Sequence, residues 1–237
     1  MRDFIKDERY FEDYLNWADD SIQQFQLAIE QVKQARGADD PGVHNGYSIL
    51  NNRYLKKLRA LYSAGRPIEE IEALMPPLIE SMEKTWIVRD VEQMLWVLSV
   101  GVMLEMENEL FSRLVDLVRK HDLQNPIIEL VIQGSSTPEG SARVEVPYDR
   151  LLDVIKSGNK QAQPEILKEY LEKYWYDGNK HAGWHDTHNH RDAIYCGYWS
   201  FESGAVVKIL GIDDSSMKGV PYYPYDLVHY KKASCNG

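Results

Sequence analysis

The chain has 237 residues and a formal net charge of −10, with 27 Lys and Arg against 37 Asp and Glu. Its length is enough for a real core in one large domain or two small ones, and 43% hydrophobic residues with 15 Tyr and 6 Trp exclude general disorder. A negative surface of this size repels phosphate backbones and anionic bilayers, which argues against a nucleic-acid or membrane-surface module, and it suits a basic partner.

The N-terminus is charged throughout and lacks the apolar stretch of a signal peptide. A first helix is expected over residues 3–35, where Phe11, Leu15, Ala18, Ile22, Phe25, Ile29 and Val32 recur at steps of 4 and 3 and so share one stripe. Acidic residues fill its other faces, and Gly37 with Asp39, Asp40, Pro41 and Gly42 reads as its stop. A second helix is expected over residues 47–63, with Tyr47, Leu50, Tyr54, Leu58 and Leu61 inward and Lys56, Lys57 and Arg59 outward. Pro67 opens a third, carrying Ile68, Ile71, Met75, Leu78 and Met82, which Pro76 and Pro77 should kink or split.

Residues 86–104 are apolar on nearly every side, the pattern of a helix in the middle of a bundle. The uncharged run within it, residues 94–104, falls short of the ~20 residues a membrane-spanning helix needs. Glu105, Glu107 and Glu109 lead into a short amphipathic helix with Leu110, Leu114, Leu117 and Val118. Asn125-Pro126 marks a break, and the division between an N-terminal helical domain (1–122) and a C-terminal one (126–237) is placed there. Beyond it, residues 134–140 read as a loop and residues 143–146 as the best, very short, strand candidate. Helical periods cover 146–156, 166–175, the region around 181–188, and 194–210. The expected fold class is all-α, a helical bundle of two packed helical subdomains.

Acidity is concentrated at the start, where the first forty residues hold 5 basic and 10 acidic side chains. Two sets of acids are candidates for meeting a basic partner: Asp19, Asp20, Asp39 and Asp40, and, competing with them, Glu105, Glu107 and Glu109. The plain alternative for each is a solvated helix face.

Chemistry-bearing patterns are few. Four of the seven histidines fall between 181 and 190, and on a helix His181, His185 and His188 would share a face as metal ligands could. The residues between His181 and His185 are Ala, Gly and Trp, with no glutamate to serve as a general base, and imidazoles bonded within an aromatic and carboxylate cluster are the structural alternative. Glu202 lies in the middle of an apolar face formed by Tyr195, Tyr198, Trp199, Val206 and Ile209. It must find donors, such as a tyrosine hydroxyl, an indole N–H or an imidazole; burial could also raise its pKa and suit it to acid catalysis. Asp214 or Ser215 is placed to cap a short turn after Gly211. The two cysteines, Cys196 and Cys235, make no CxxC pair and fit a reducing cytoplasm. A nucleophile elbow, a P-loop and a dinucleotide fingerprint are all missing.

The order of Trp175-Tyr176, Trp184-His185-Asp186, Tyr195-Cys196-Gly197-Tyr198-Trp199-Ser200-Phe201-Glu202, Ala205 to Asp214, and Tyr222-Tyr223-Pro224-Tyr225-Asp226-Leu227 resembles the C-terminal domain of the PoNi immunity proteins. These are paired with PoNe-type DNase toxins of bacterial polymorphic toxin systems. The N-terminal half is similar to the family's helical N-terminal domain in length, helical period and the run from Arg53 to Gly65. The resemblance implies an α-helical, non-catalytic protein that binds and neutralises a cognate DNase toxin and so prevents self-intoxication. No cofactor and no metal are expected, and the resemblance makes Trp175, Trp184, Tyr198, Trp199, Glu202, Tyr223, Pro224 and Asp226 a structural signature. The expected partner is a basic nuclease toxin, with no nucleic acid or membrane bound. The alternatives are a metal-dependent hydrolase built on His181, His185 and His188 with Glu202 as base, and a helical adaptor for some other basic protein.

Overall fold

A computed structural model describes residues 1–134 and 146–231. The chain folds as an all-α protein, with no strand among the described residues. The strand candidate at 143–146, except for its last residue, the loop at 135–140 and Cys235 lie outside the described residues. Packing divides the chain into two compact units, residues 1–90 with 186–198, and residues 91–185 with 199–237. The break expected at residues 122–126 is a division of the chain between two helices, Asn108–Lys120 and Pro126–Gln133; the units are a division by packing.

The first unit begins with α1 (Glu8–Arg36), α2 (Pro41–Ser63) and α3 (Ile68–Thr85), with α2 packed against both neighbours. Helix α1 starts at Glu8 because the Asp7 carboxylate accepts the Tyr10 amide at 2.8 Å, an N-cap that the apolar period alone does not reveal. Its buried stripe is Phe11, Tyr14, Leu15, Ala18, Ser21, Ile22 and Ile29. Residues 1–6 instead bind back along the unit, with the Arg2 and Asp3 amides donating to the Ser63 carbonyl at 3.0 and 3.1 Å.

The Asp39–Gly42 tract is less a stop for α1 than the start of α2. Asp40 accepts the Gly42 amide at 2.7 Å, and Pro41 occupies the first turn, where a missing N–H costs nothing. Helix α3 passes through Pro76 and Pro77 without splitting. Pro76 is exposed and Pro77 half-buried, so neither ring is forced into the core. At Gly46 α1 and α2 approach closely, since a Cβ there would stand 2.5 Å from the Ile29 side chain.

In the second unit the helix expected over 86–104 is α4 (Val91–Met103), buried at every position from Met94 to Gly101. It packs against α6 (Pro126–Gln133) and α10 (Phe201–Leu210). Around these lie α5 (Asn108–Lys120), α7 (Tyr148–Lys156) and α8 (Gln163–Glu169). The last continues through a π-helical turn, Tyr170–Trp175, into α9 (Tyr176–Gly178). A short α11 (Tyr225–Val228) closes the described chain. No helix among the described residues is long and apolar enough to cross a membrane.

The helices expected over 181–188 and 194–210 are corrected by the structure. Residues 179–186 form turns, followed by a 3-10 turn at Thr187–Asn189, and α10 begins only at Phe201. For the stretch before Phe201 the physical reason is tertiary. The Tyr195 carbonyl accepts the Tyr10 hydroxyl at 2.9 Å and the Cys196 carbonyl accepts the Ser63 hydroxyl at 3.2 Å, so both carbonyls are spent on the first unit. Gly197, at φ +105°, then turns the backbone out of helical space.

Candidate partner interface

The seven acids singled out from the sequence differ in what they do. Asp19 is exposed and ion-paired to Lys57, and Asp40 is spent on capping α2. Glu105, held at φ +51° in the turn after α4, pairs with Lys208 Nζ at 3.0 Å, while the same ammonium donates to the Met103 carbonyl at 2.7 Å. These three carboxylates therefore have structural partners. Asp20 and Asp39 are exposed, and neither makes an ion pair among the described residues. Glu107 and Glu109 flank the start of α5, where negative charge is favoured by the helix dipole. Surface ion pairs such as Asp19 with Lys57 contribute little to stability.

Sequence reasoning passed over α3. Its 18 residues include Glu69, Glu70, Glu72, Glu80 and Glu83 against one Lys84. The signal was visible as composition, but the hydrophobic period of that helix drew attention to its inner face.

The histidines do not share a helical face. His181 and His185 belong to the turns before residue 186, and His188 to the 3-10 turn that packs in the first unit. His185 stacks on Tyr176 with centroids 4.2 Å apart, and His188 Nδ1 meets the Tyr198 hydroxyl at 2.9 Å. Among the described residues no group of three or more His, Cys, Asp or Glu side chains is placed to hold a metal ion. The geometric basis of the hydrolase alternative is gone.

Glu202 is fully buried. Its Oε1 accepts the Trp175 indole N–H at 2.7 Å and the Ser200 hydroxyl at 2.6 Å, whereas Oε2 has no partner among the described residues. Burial pushes the carboxyl up to about 7; bonds from Ser200, its own amide and Trp175 oppose that, and the Glu92 charge adds to it. Glu92 in turn accepts the Trp184 indole N–H at 3.0 Å, and Trp184 stacks on Trp175 at 5.2 Å. Tyr195 and Tyr198 precede α10 and pack in the first unit, so the single helical face expected around Glu202 does not exist. A carboxyl sealed this way has a shifted pKa but no access to a substrate.

The remaining signature residues are also largely interior. Trp199, Tyr223 and Pro224 are buried, and Asp226 is exposed on α11. The Tyr223 hydroxyl donates to Asp214 at 2.6 Å, and His229 Nε2 lies 3.0 Å from the same carboxylate. Asp213, one residue earlier, accepts the Ser215 amide at 3.1 Å at the 3-10 turn Ser215–Met217. Cys196 is buried, and burial raises its thiol pKa, which leaves it a poor nucleophile.

The acids stand on the surface of a two-unit helical protein, while the carboxyl of Glu202 is sealed inside it and the histidines are dispersed. Two family descriptions match the chain: "PoNe immunity protein (PoNi), N-terminal" over residues 2–116 and "PoNe immunity proteins (PoNi), C-terminal" over residues 123–227. The chain belongs to the PoNi immunity protein family, whose members are non-enzymatic partners of PoNe toxins. In fold it is similar to protein PA2201 from Pseudomonas aeruginosa, whose crystal structure aligns with TM-score 0.62 at 17% identity, covering 90% of this chain and 87% of that one. No curated protein matches the sequence.

Proposed function

We propose that this protein binds a cognate PoNe toxin that is a basic DNase and neutralises it, so that the producing cell is not intoxicated by its own weapon. The observation that carries this reading is the pair of family matches, which together span nearly the whole chain. The charge supports it independently. A nuclease holds DNA on a cationic surface, and a protein of net charge −10 competes for that surface. Attraction of this kind speeds encounter and weakens with salt, while slow release comes from a few well-packed anchors.

In this reading the protein acts by occupancy and makes or breaks no bond. The same charge keeps it off nucleic acid and anionic membranes, and it works in the cytoplasm where toxin and immunity protein are made together. Co-expression tests the proposal: the toxin alone should arrest growth, and the toxin with this protein should not. Continued arrest, together with no complex on co-purification, would sink it.

A further inference from the structure

A cleft of ≈ 250 Å3 opens in the first unit where α1, α2 and α3 meet. Its lining combines the apolar Ile29, Leu50 and Pro77 with Tyr47 and Tyr54 and with the acids Glu30 and Glu80. Clefts that enclose drug-sized ligands run to roughly 300–1,000 Å3, so this one suits a single inserted side chain better than a metabolite.

The chain already uses one end of this cleft to hold a cation. Lys33 Nζ donates to Glu30 Oε1 at 2.7 Å and to the Tyr47 hydroxyl at 3.0 Å, and it lies 5.2 Å from the centroid of the Tyr47 ring. A carboxylate beside an aromatic face is thus shown to receive an ammonium here. Tyr54 and Glu80 line the same cleft, and no lysine or arginine ion pair is formed by Glu80 among the described residues. Tyr54 is buried, accepts the Gln26 amide at 2.9 Å, and has its pKa raised by burial, with the Glu80 charge adding to it. Glu80 is exposed and has no hydrogen bond or ion pair among the described residues. It also sits on α3, where five glutamates face a single lysine.

We propose that this cleft receives an arginine side chain from the basic protein partner, its stem against the apolar lining residues, its guanidinium against the tyrosine rings and its charge on Glu80. Arginine suits the place better than lysine because a planar, weakly hydrated guanidinium stacks on rings and bonds a carboxylate in two-pronged fashion. The proposal rests on the toxin-binding reading and assigns to it a site that neither sequence-derived set of acids includes.

The test is the dissociation constant of the complex between the full-length protein and its PoNe toxin, for wild type, Glu80→Gln and Glu69→Gln. Glu80 and Glu69 are both exposed, so neither change should disturb the fold, and melting temperatures equal to that of wild type are expected for both. Glu80→Gln should weaken the complex by about tenfold to a hundredfold, chiefly through faster dissociation, because it strands a partly desolvated charge. Glu69→Gln, on the same helix but outside the cleft, should change it little. An unaltered constant for Glu80→Gln, or an equal loss in both variants, would overturn the cleft while leaving toxin binding intact. A wild-type protein that does not bind the toxin at all would instead defeat the functional reading itself.

Discussion

Replacing Glu202 by Gln isolates the cost of the buried carboxylate. Its carboxyl has a pKa of about 7 in the folded protein against 4.5 for an exposed glutamate. Between these values the native state holds more protons than the unfolded chain, so stability falls as pH rises. The contribution is complete below about 4.5 and lost as pH passes through 7. The gap corresponds to about 3 kcal/mol. Glutamine is neutral throughout and keeps an oxygen for the Trp175 and Ser200 donors; its amide has no acceptor at the Oε2 position, a penalty that does not vary with pH. Denaturant unfolding of both proteins, followed by tryptophan fluorescence from pH 4 to 8.5, should show wild type losing about 3 kcal/mol relative to Glu202→Gln across that range. In thermal melts the same difference is roughly 6–12 °C for a chain of this size. A difference that is independent of pH, or that grows in favour of wild type at high pH, would refute the reasoning.

Two further outcomes follow from the same structure. Charge reversal at Asp19, Asp20, Asp39 and Asp40 should slow toxin association at low salt more than it speeds dissociation, with Asp20 and Asp39 accounting for most of the effect because Asp19 and Asp40 have internal partners; equal association rates in stopped flow would show that this surface does not steer. Gly204→Ala should destabilise the second unit by about 1–3 kcal/mol, since a Cβ there would stand 2.5 Å from Met103 Sδ and 2.7 Å from Pro224 Cγ; an unchanged denaturation midpoint would mean that α10 can shift away at no cost.

Helix existence was legible wherever a long apolar stripe runs along the chain, as in α1 and α4, because burial and period then say the same thing. Helix starts were less so. Asp7 and Asp40 each fix one through a single carboxylate-to-amide bond, and before the second of them Asp39-Asp40-Pro41 reads as an ending as readily as a beginning. The stretch 194–200 misled because its aromatic spacing mimics a helix while the Tyr195 and Cys196 carbonyls bind residues far away in sequence, Tyr10 and Ser63. No local pattern encodes that. Glu202 was legible as a buried acid needing donors, and an indole was among those expected; that the donors are Trp175 and Ser200 was not. Of the acids, the sequence displays charge but not its internal use, so Asp19, Asp40 and Glu105 looked as free as Asp20, and the Glu80 cleft requires three helices to be brought together.

The most direct measurement is a titration of the purified protein into a fixed amount of its PoNe toxin while DNA cleavage is followed. Binding and neutralisation predict that cleavage is extinguished near equimolar protein, that the inhibited toxin elutes as a stable complex, and that inhibition weakens as salt is raised. Undiminished cleavage in the presence of excess folded protein would contradict the account.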